Sequence, residues 1–508
     1  MTKATRREWI GLAVIALPCM LYSMDLTVLN LAVPKLSAAL KPSSAELLWI
    51  VDIYGFLVAG SLITMGTLGD RIGRRRLLLI GAVAFGAASV LAAFSTTPAM
   101  LIAARALLGV AGATLAPSTL SLIRNMFHDA HQRTVAVSVW IMSYSAGAAI
   151  GPLVGGVLLE YFWWGSVFLI NVPVMALLLA LGPALLPESS DPNAGRLDLA
   201  SAAQSLLAVL AMIYGLKRIA EDGAGWLSAA AIVAGLAIGA AFVRRQRRLA
   251  DPLIDLALFR IPAFSAAIAT NILGFLTTFG TFLFIAQYLQ SVIGLSPLRA
   301  GLWSTPAALA FILGSMAAPA IVRRFSPAGV IAGGMTVSAA GFVLLTLVDD
   351  APAPLAVLVA GSAVFSLGLA PVVTLATDLV LGAAPAERAG AAAAISETSS
   401  EFGGALGIAI LGSIVTVIYR GAMADAVPAG VPAAAAEAAR GTIGGAVSVA
   451  GQLPAALGAG LMDAARSAFA QAFEVTAVIG AAISVGVAIL AVALLRRVRA
   501  EGTPVQVI

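Results

Sequence analysis

The sequence is dominated by repeated apolar runs, each about as long as an α-helix needs to cross the hydrocarbon core of a bilayer, about 20 residues. Fourteen runs are predicted as spans 1 to 14. They lie at residues 9–33, 46–68, 77–96, 99–122, 134–158, 163–186, 199–219, 226–243, 262–290, 299–321, 328–348, 354–381, 389–419 and 468–495. Open sheet edges are not tolerated in hydrocarbon, so the sequence predicts an all-α membrane protein.

Composition supports lipid as the main solvent of the chain. Hydrophobic residues make up 60% and charged residues 11%, whereas soluble domains carry about 25% charged residues. The basic residues form short clusters between apolar runs, which argues against a nucleic-acid partner. The chain has one cysteine, Cys19, and two histidines, His128 and His131, which lie close to each other in the sequence. These residues offer too few ligands for a metal site, so no metal is predicted.

The distribution of Lys and Arg predicts the orientation in the membrane. Arg71 and Arg74 to Arg76 lie after span 2, and a further arginine cluster at 244–248 follows span 8. Such loops face the cytoplasm, which would put both termini in the cytoplasm of a bacterial inner membrane. Lys217 and Arg218 are then assigned to an outer loop. The outer segment 420–467 is predicted as a helical hairpin, with a re-entrant segment as the alternative.

Three ionisable residues in the first spans are candidates for proton or cation binding. Asp25 is predicted at a depth of about 12 Å, and Asp52 and Arg105 at about 9 Å, from a rise of about 1.5 Å per residue. They would share one layer of the outer half of the membrane. Charged residues within spans are expensive and usually functional, although a structural ion pair is the alternative. Arg105 would then bias the protonation of a neighbouring carboxylate.

A second pair of acids lies in span 13. Glu397 and Glu401 are four residues apart and therefore share one helix face. Two close carboxylates in a low dielectric do not both ionise, so one of them is expected to hold a proton near neutral pH. Asp378, near the end of span 12, is interpreted as an interfacial residue.

Aromatic residues recur near these acids. Ring faces attract organic cations, so several aromatic side chains are candidate substrate contacts, with simple packing as the alternative. The candidates are Trp49, Tyr54, Trp140, Tyr144, Phe275 and Phe279.

The loop between spans 2 and 3 carries a specific pattern. Residues 66–76 read GTLGDRIGRRR, where glycines permit a tight connection and Asp70 is placed to face the positive end of a helix dipole. The pattern, carried by Gly66, Asp70, Arg71, Gly73 and Arg74, resembles the signature loop of the major facilitator superfamily.

Two further segments agree with this resemblance. Span 4 carries RALLGVAG at 105–112, similar to the superfamily's helix-4 motif. Span 5 carries GAAIGPLVGG at 147–156, which is similar to the antiporter motif of exporters. Its residues Gly147, Gly151, Pro152, Gly155 and Gly156 form a small-residue face for close helix packing.

Fourteen spans together with residues 24–34, 48–54 and 168–173 resemble the 14-spanner drug:proton antiporter family, and within it the QacA-like quaternary-ammonium exporters. The resemblance implies the major facilitator fold, with two six-helix bundles and two inserted helices that work by alternating access. The expected division is 1–190, 191–260 for the inserted helices and basic linker, and 261–508.

The resemblance also implies functional assignments. Asp25, Asp70 and Glu397 match acids of the family. The expected activity is export of lipophilic or cationic drugs, such as dyes, quaternary ammonium antiseptics and antibiotics, by a monomer driven by the proton motive force without a cofactor.

The sequence departs from the family pattern in two places. The second-half copy of the loop motif has Arg323 at the aspartate position and Ser326 at a glycine position. Some relatives carry an acid in helix 10, whereas 302–321 has none, so the resemblance does not predict whether dications are exported.

Other functions remain as alternatives. A dedicated exporter of one antibiotic, metabolite or lipid would use the same scaffold. A membrane enzyme is disfavoured because no nucleophile–base set is present, and a channel because no filter-like repeat is present.

Overall fold

The computed structural model describes residues 4–190, 197–249, 252–322, 324–349, 351–383 and 389–495. Helices dominate this part of the chain, as expected where backbone polar groups have no water to bond. The all-α prediction is therefore confirmed.

The described residues of the first half of the chain form ten helices. They are α1 (Arg6–Leu40), α2 (Ser44–Ile72), α3 (Arg74–Ala93), α4 (Pro98–Gly112), α5 (Leu115–Met126), α6 (Ala130–Tyr161), α7 (Ser166–Leu169), α8 (Asn171–Leu185), α9 (Leu199–Asp222) and α10 (Trp226–Gln246).

In the second half, the residues that the structure describes form eight α-helices, α11 to α18. They are α11 (Pro262–Gln287), α12 (Pro297–Val322), α13 (Pro327–Leu345), α14 (Pro354–Ala383), α15 (Ala389–Ala426), α16 (Ala433–Gly441), α17 (Ile443–Ala450) and α18 (Ala455–Leu495). A short 3₁₀ helix (Leu258–Arg260) precedes α11, and a π-helical turn (Tyr288–Val292) follows it.

Local sequence signals explain where the first helices begin. Thr5 with Glu8 and Ser43 with Glu46 form capping boxes at the starts of α1 and α2. In a capping box the two side chains satisfy backbone amides that the first helical turn leaves without partners. Asp129 caps α6 in a simpler way, by accepting from the amide of Gln132.

Fourteen helical segments of the described chain are long and apolar enough to cross a membrane. The predicted number of spans is confirmed, and the protein is a multi-pass membrane protein. Span 4 consists of α4 and α5 in succession, while span 6 consists of α7 and α8. The predicted spans 7 and 8 correspond to α9 and α10, which pack against each other.

The segment between spans 13 and 14 is shorter than the range 420–467 because both flanking helices are longer than predicted. Helix α15 extends to Ala426 and α18 begins at Ala455. Between them lie the short helices α16 and α17, separated by Thr442 in an extended conformation. Helix α17 packs against α1.

Contacts divide the chain into two compact units. The first unit comprises Met1–Leu253, Phe282–Thr305 and Ile408–Ala472. The second comprises Ile254–Thr281, Pro306–Gly407 and Phe473–Ile508. The domain boundaries drawn from the sequence remain a prediction.

Candidate functional site

The first unit contains a buried ion pair between Asp25 on α1 and Arg105 on α4. The guanidinium donates from Nη1 to Oδ2 of Asp25. The side chains of Asp25 and Arg105 are only 4% and 1% exposed. A charge buried this deeply is tolerated because an opposite charge and further hydrogen bonds replace its hydration.

Arg105 also holds the backbone of helix α2. Its Nε donates to the carbonyl of Ile50 at 3.1 Å, and Nη2 donates to that of Val51 at 3.4 Å. Its guanidinium carbon lies 4.5 Å from the centre of the Tyr54 ring, a cation–π contact. Arg105 therefore joins α1, α4 and α2 in one polar contact.

The next residue along α2, Asp52, forms a second buried ion pair with Lys217 on α9. The Lys217 ammonium lies 2.8 Å from Oδ1 and 2.6 Å from Oδ2 of the carboxylate. The two side chains are 0% and 1% exposed. The same ammonium lies 3.7 Å from the ring centre of Trp49. The assignment of Lys217 to an outer loop is thus wrong, because α9 continues past it to Asp222.

The structure brings Asp25, Asp52 and Arg105 into one group of contacts. Their depth in the membrane remains a prediction. Arg105 bridges Asp25 and the carbonyls that immediately precede Asp52. Lys217 adds a second cation that the sequence prediction did not include.

Aromatic side chains form a connected cluster beside the Asp25–Arg105 pair. Tyr22 lies one helical turn before Asp25, and its ring is 6.1 Å from that of Tyr54 and 5.7 Å from that of Tyr144. Trp140 packs edge-on against Tyr144 at 4.9 Å. Trp140 and Tyr144 are only partly buried. Three predicted aromatic contacts thus belong to one cluster, with Tyr22 as an additional member, whereas Trp49 faces Lys217.

The glycines of span 5 bring helix α6 close to helix α1. An added Cβ would lie 2.1 Å from the carbonyl oxygen of Met20 at Gly147, and 2.1 Å from Oγ1 of Thr27 at Gly151. At Gly155 it would lie 2.8 Å from Val28. Only glycine permits such approach, so these residues fix α6 on the segment of α1 that carries Asp25.

The remaining glycine and proline of this motif contact the start of α12 within the same unit. An added Cβ at Gly156 would lie 2.9 Å from the carbonyl oxygen of Pro297. An added Cβ at Gly301 would lie 2.3 Å from the carbonyl oxygen of Pro152.

Helices α2 and α3 are joined by a single residue, Gly73. Its φ of 106° is a conformation that side-chain-bearing residues rarely adopt. Asp70 accepts from Arg74 at the start of α3, with Nε–Oδ1 at 2.8 Å and Nη2–Oδ1 at 2.6 Å. Gly66 and Arg71 lie on the last turns of α2, where Arg71 is exposed.

This connection is bonded to the segment that follows α8. The Arg74 amide donates to the carbonyl of Ser189 at 2.8 Å, and the Arg75 amide donates to Glu188 at 3.0 Å. The Arg75 side chain also donates to the carbonyl of Leu186 at 3.0 Å. Glu188 is a contact that the motif alone did not indicate. In the second-half copy of the motif, Arg323 lies outside the described residues.

The second unit contains the acids of span 13. Glu397 and Glu401 lie one turn apart on α15, and both are partly buried. Nearby, Asn271 on α11 donates to Ser399 at 3.1 Å and to Ser400 at 2.9 Å. Asn271 is fully buried. These contacts fix α15 against α11 next to Glu397.

Phe275 and Phe279 lie on α11 in the same unit. Their rings are stacked with centres 5.9 Å apart. A Cβ at Gly404, one turn beyond Glu401, would lie 3.2 Å from the Phe279 ring. The stacked pair therefore packs against the same helix that carries the two acids.

Lys217, Tyr22, Asn271 and Glu188 were not identified from the sequence. A signal existed for Lys217, because Asp52 lies in an apolar span and a buried carboxylate requires a partner. The spacing of Tyr22 three residues before Asp25 also placed the two on one face of α1.

Comparisons with known proteins agree with this architecture. The family model described as Major Facilitator Superfamily matches residues 15–408. The chain is 44% identical over 449 residues to the multidrug efflux pump LfrA of Mycolicibacterium smegmatis, with 88% of each chain covered. It is 37% identical over 450 residues to the methyl viologen resistance protein SmvA of Salmonella typhimurium, covering 87% of this chain and 89% of that protein.

Among solved structures, the fold is similar to that of a bacterial homologue of the human lysosomal transporter Spinster. The TM-score is 0.65 at 17% identity, and the match covers 97% of this chain and 98% of the other. Family and fold indicate a transporter and not an enzyme. The chain belongs to the major facilitator superfamily and, within it, matches the 14-spanner drug:proton antiporter family.

Proposed function

We propose that this protein is a proton-coupled antiporter that exports lipophilic and cationic drugs by alternating access. The observation that carries the proposal is the buried pair of Asp25 and Arg105 on helices that cross the membrane. The names of the relatives LfrA and SmvA, an efflux pump and a resistance protein, support the substrate class.

The chemistry follows from the charge balance at Asp25. A proton and a substrate cation compete for the same carboxylate, so binding of one favours release of the other. Arg105 pairs with the carboxylate when neither is bound. Because Arg105 also holds Ile50 and Val51, a change of charge at Asp25 alters a contact between three helices.

The aromatic cluster gives this exchange a substrate preference. The rings of Tyr144 and Trp140 are partly exposed, and the buried rings of Tyr22 and Tyr54 connect them to Arg105. Planar organic cations bind to such faces by cation–π contact and by burial of apolar surface. We therefore propose that quaternary ammonium antiseptics, dyes and antibiotics bind here.

Glu397 and Glu401 are proposed as a second proton-exchanging site in the second unit. Their spacing of one turn places two carboxylates on one face of α15, where like charges favour a shared proton. Two exchanging sites would allow more than one proton per cycle, which makes export of a monovalent cation electrogenic.

The proposed location is the bacterial cytoplasmic membrane, with both termini in the cytoplasm. The arginine-rich connection after α2 and the arginines at the end of α10 support this orientation. The proposed energy source is the proton motive force, with no cofactor, and the proposed working unit is a monomer.

The deciding experiment is ethidium transport by purified protein in proteoliposomes with an imposed pH gradient. We expect ethidium to be taken up against its own concentration gradient when the lumen of the proteoliposomes is acidic. Uptake should stop when nigericin dissipates the pH difference. Asp25→Asn is the matched inactive control. Transport that continues unchanged without a pH gradient would contradict proton coupling.

A substrate panel separates the proposed function from a dedicated exporter. The panel contains ethidium, benzalkonium, a tetraphenylphosphonium salt and a neutral lipophilic antibiotic. A multidrug exporter transports chemically unrelated members, whereas a dedicated exporter transports one scaffold only.

A further inference from the structure

The inserted helix α9 contributes a charge to the interior of the first unit. Lys217 is 1% exposed, and its ammonium lies within 2.8 Å of both oxygens of Asp52 on α2. The Trp49 ring packs over the same ammonium at 3.7 Å. Lys217 is therefore bound on α2 by the carboxylate of Asp52 and the ring face of Trp49, which lie one helical turn apart.

The contact between α9 and α2 extends beyond this ion pair. At Gly60, an added Cβ would lie 2.2 Å from the side chain of Leu206. Leu206 and Lys217 are eleven residues apart, three helical turns, and so lie on one face of α9. The inserted helix thus packs along α2 with an apolar contact at one point and an ionic contact at the other.

The same turn of α2 is held from a different helix by Arg105. The carbonyls of Ile50 and Val51 accept from Arg105, and the next residue, Asp52, binds Lys217. Two cations from different helices therefore hold consecutive residues of one helical turn. One of these cations is paired with Asp25, the proposed proton site.

We propose that Lys217 is a positioning residue of the coupling site, through which the inserted helices take part in proton exchange. Lys217 binds Asp52 and thereby fixes the turn of α2 to which Arg105 is bonded. The position of Arg105 in turn sets its contact with the carboxylate of Asp25. This inference rests on the proposed function, because it assigns a role within proton-coupled export.

Four groups surround the charges at this turn of α2, and each of them lies on a different helix. Lys217 on α9 faces Asp52 directly, and Arg105 on α4 lies against the preceding carbonyls. Asp25 on α1 neutralises Arg105, and the Tyr54 ring lies beneath the guanidinium. Removing Lys217 leaves Asp52 as a buried carboxylate without its direct cation, which unbalances the charges at this turn.

The test compares four variants in proteoliposomes: Lys217→Met, Lys217→Arg, Asp52→Asn with Lys217→Met, and Arg218→Met. Arg218 is the neighbouring basic residue, and its side chain is 42% exposed and paired with Asp222 at the surface. Each variant is measured for proton-driven ethidium transport between pH 6 and 9, for ethidium binding, and for thermal stability in detergent.

We expect Lys217→Met to bind ethidium with an affinity within about threefold of the wild type, while turnover falls at least about tenfold. The pH at half-maximal transport should shift by about one unit, because the buried charges at this turn of α2 no longer balance. Lys217→Arg keeps the charge and should retain the wild-type pH profile. The double variant removes both charges and should return the pH midpoint toward that of the wild type.

A purely structural role predicts a different result. Lys217→Met would then lower the thermal stability but leave turnover per folded molecule and the pH midpoint unchanged, which would overturn the inference. An equal effect of Arg218→Met would also overturn it. Wild-type transport without any dependence on the pH gradient would instead refute the proposed function, and with it this role of Lys217.

Discussion

Asp25 and Arg105 form an ion pair that lies almost entirely out of contact with solvent. Breaking a buried pair by removing one charge is far more costly than leaving it intact. We therefore expect binding of a proton or a cation at Asp25 to weaken the contact with Arg105, and the first prediction concerns removal of the Asp25 carboxylate.

We expect Asp25→Asn to abolish both cation binding and the release of protons on binding, because no carboxylate remains for either ion. Glu397→Gln should lower transport at least about tenfold while ethidium binding remains measurable. The measurement is proton release on addition of ethidium to detergent-purified protein. Proton release by Asp25→Asn together with its loss in Glu397→Gln would reverse the two roles.

The second prediction concerns the connection between α2 and α3. Asp70→Asn removes the ion pair with Arg74 but leaves the buried charges intact. Turnover should fall about fivefold because a conformational step is slowed, while ethidium affinity should change less than about twofold. Arg76→Gln is the matched control, since Arg76 is an exposed arginine near the same connection. An equal loss of binding and transport in Asp70→Asn would show that the residue acts on binding.

The third prediction tests the close approach of α6 to α1. In Gly151→Ala the new Cβ would lie 2.1 Å from Oγ1 of Thr27, and overpacking of this kind costs about 1–3 kcal/mol. Adding Thr27→Ala removes that oxygen, so the double variant should recover stability and transport.

Gly147→Ala provides the control for this rescue. Its Cβ would meet the carbonyl oxygen of Met20, which no side-chain substitution removes. Thr27→Ala should therefore not rescue it. Rescue of both glycine variants, or of neither, would contradict the specific contact between Gly151 and Thr27.

A fourth prediction addresses the segment between α15 and α18. A Cβ at Gly444 on α17 would lie 2.5 Å from the Cβ of Ser37 near the end of α1, so a shift of about 1 Å brings two cysteines into disulfide geometry. In a Cys19→Ala background, Ser37→Cys with Gly444→Cys should crosslink and stop efflux until a reductant is added.

The matched pair for this experiment is Ser37→Cys with Gly421→Cys, because nothing lies within 4 Å of a Cβ at Gly421. That pair should remain reduced and active. Full efflux by the crosslinked Ser37–Gly444 protein would show that α1 and α17 need not separate during transport.

Sequence patterns predicted the helices and the family because each span is a long apolar run and the motif at 66–76 has a fixed spacing. They also placed Asp25, Asp52 and Arg105 in one layer, since depth follows from helical rise. The ion-pair partners of these residues were harder to predict. Hydropathy does not specify how a helix is rotated about its axis, so Arg105 could not be paired with Asp25 in particular.

The position of Lys217, near the end of a helix, was mispredicted for a related reason. An apolar run followed by Lys and Arg is typical of a span that has reached the interface. The helix continues because Asp52 and Trp49 provide the ammonium with a charge and a ring inside the protein. Such compensation is a property of tertiary packing and is not encoded in the local composition.

The bond between Asp52 and Lys217 also bears on how a fourteen-span transporter relates to a twelve-span one. If α9 and α10 were an independent module, they could be excised without consequence for the rest of the chain. Here excision of α9 and α10 would leave the buried carboxylate of Asp52 on α2 without its counter-ion. We therefore expect gain or loss of the helix pair to be accompanied by a substitution at residue 52, so that this position differs between the two architectures.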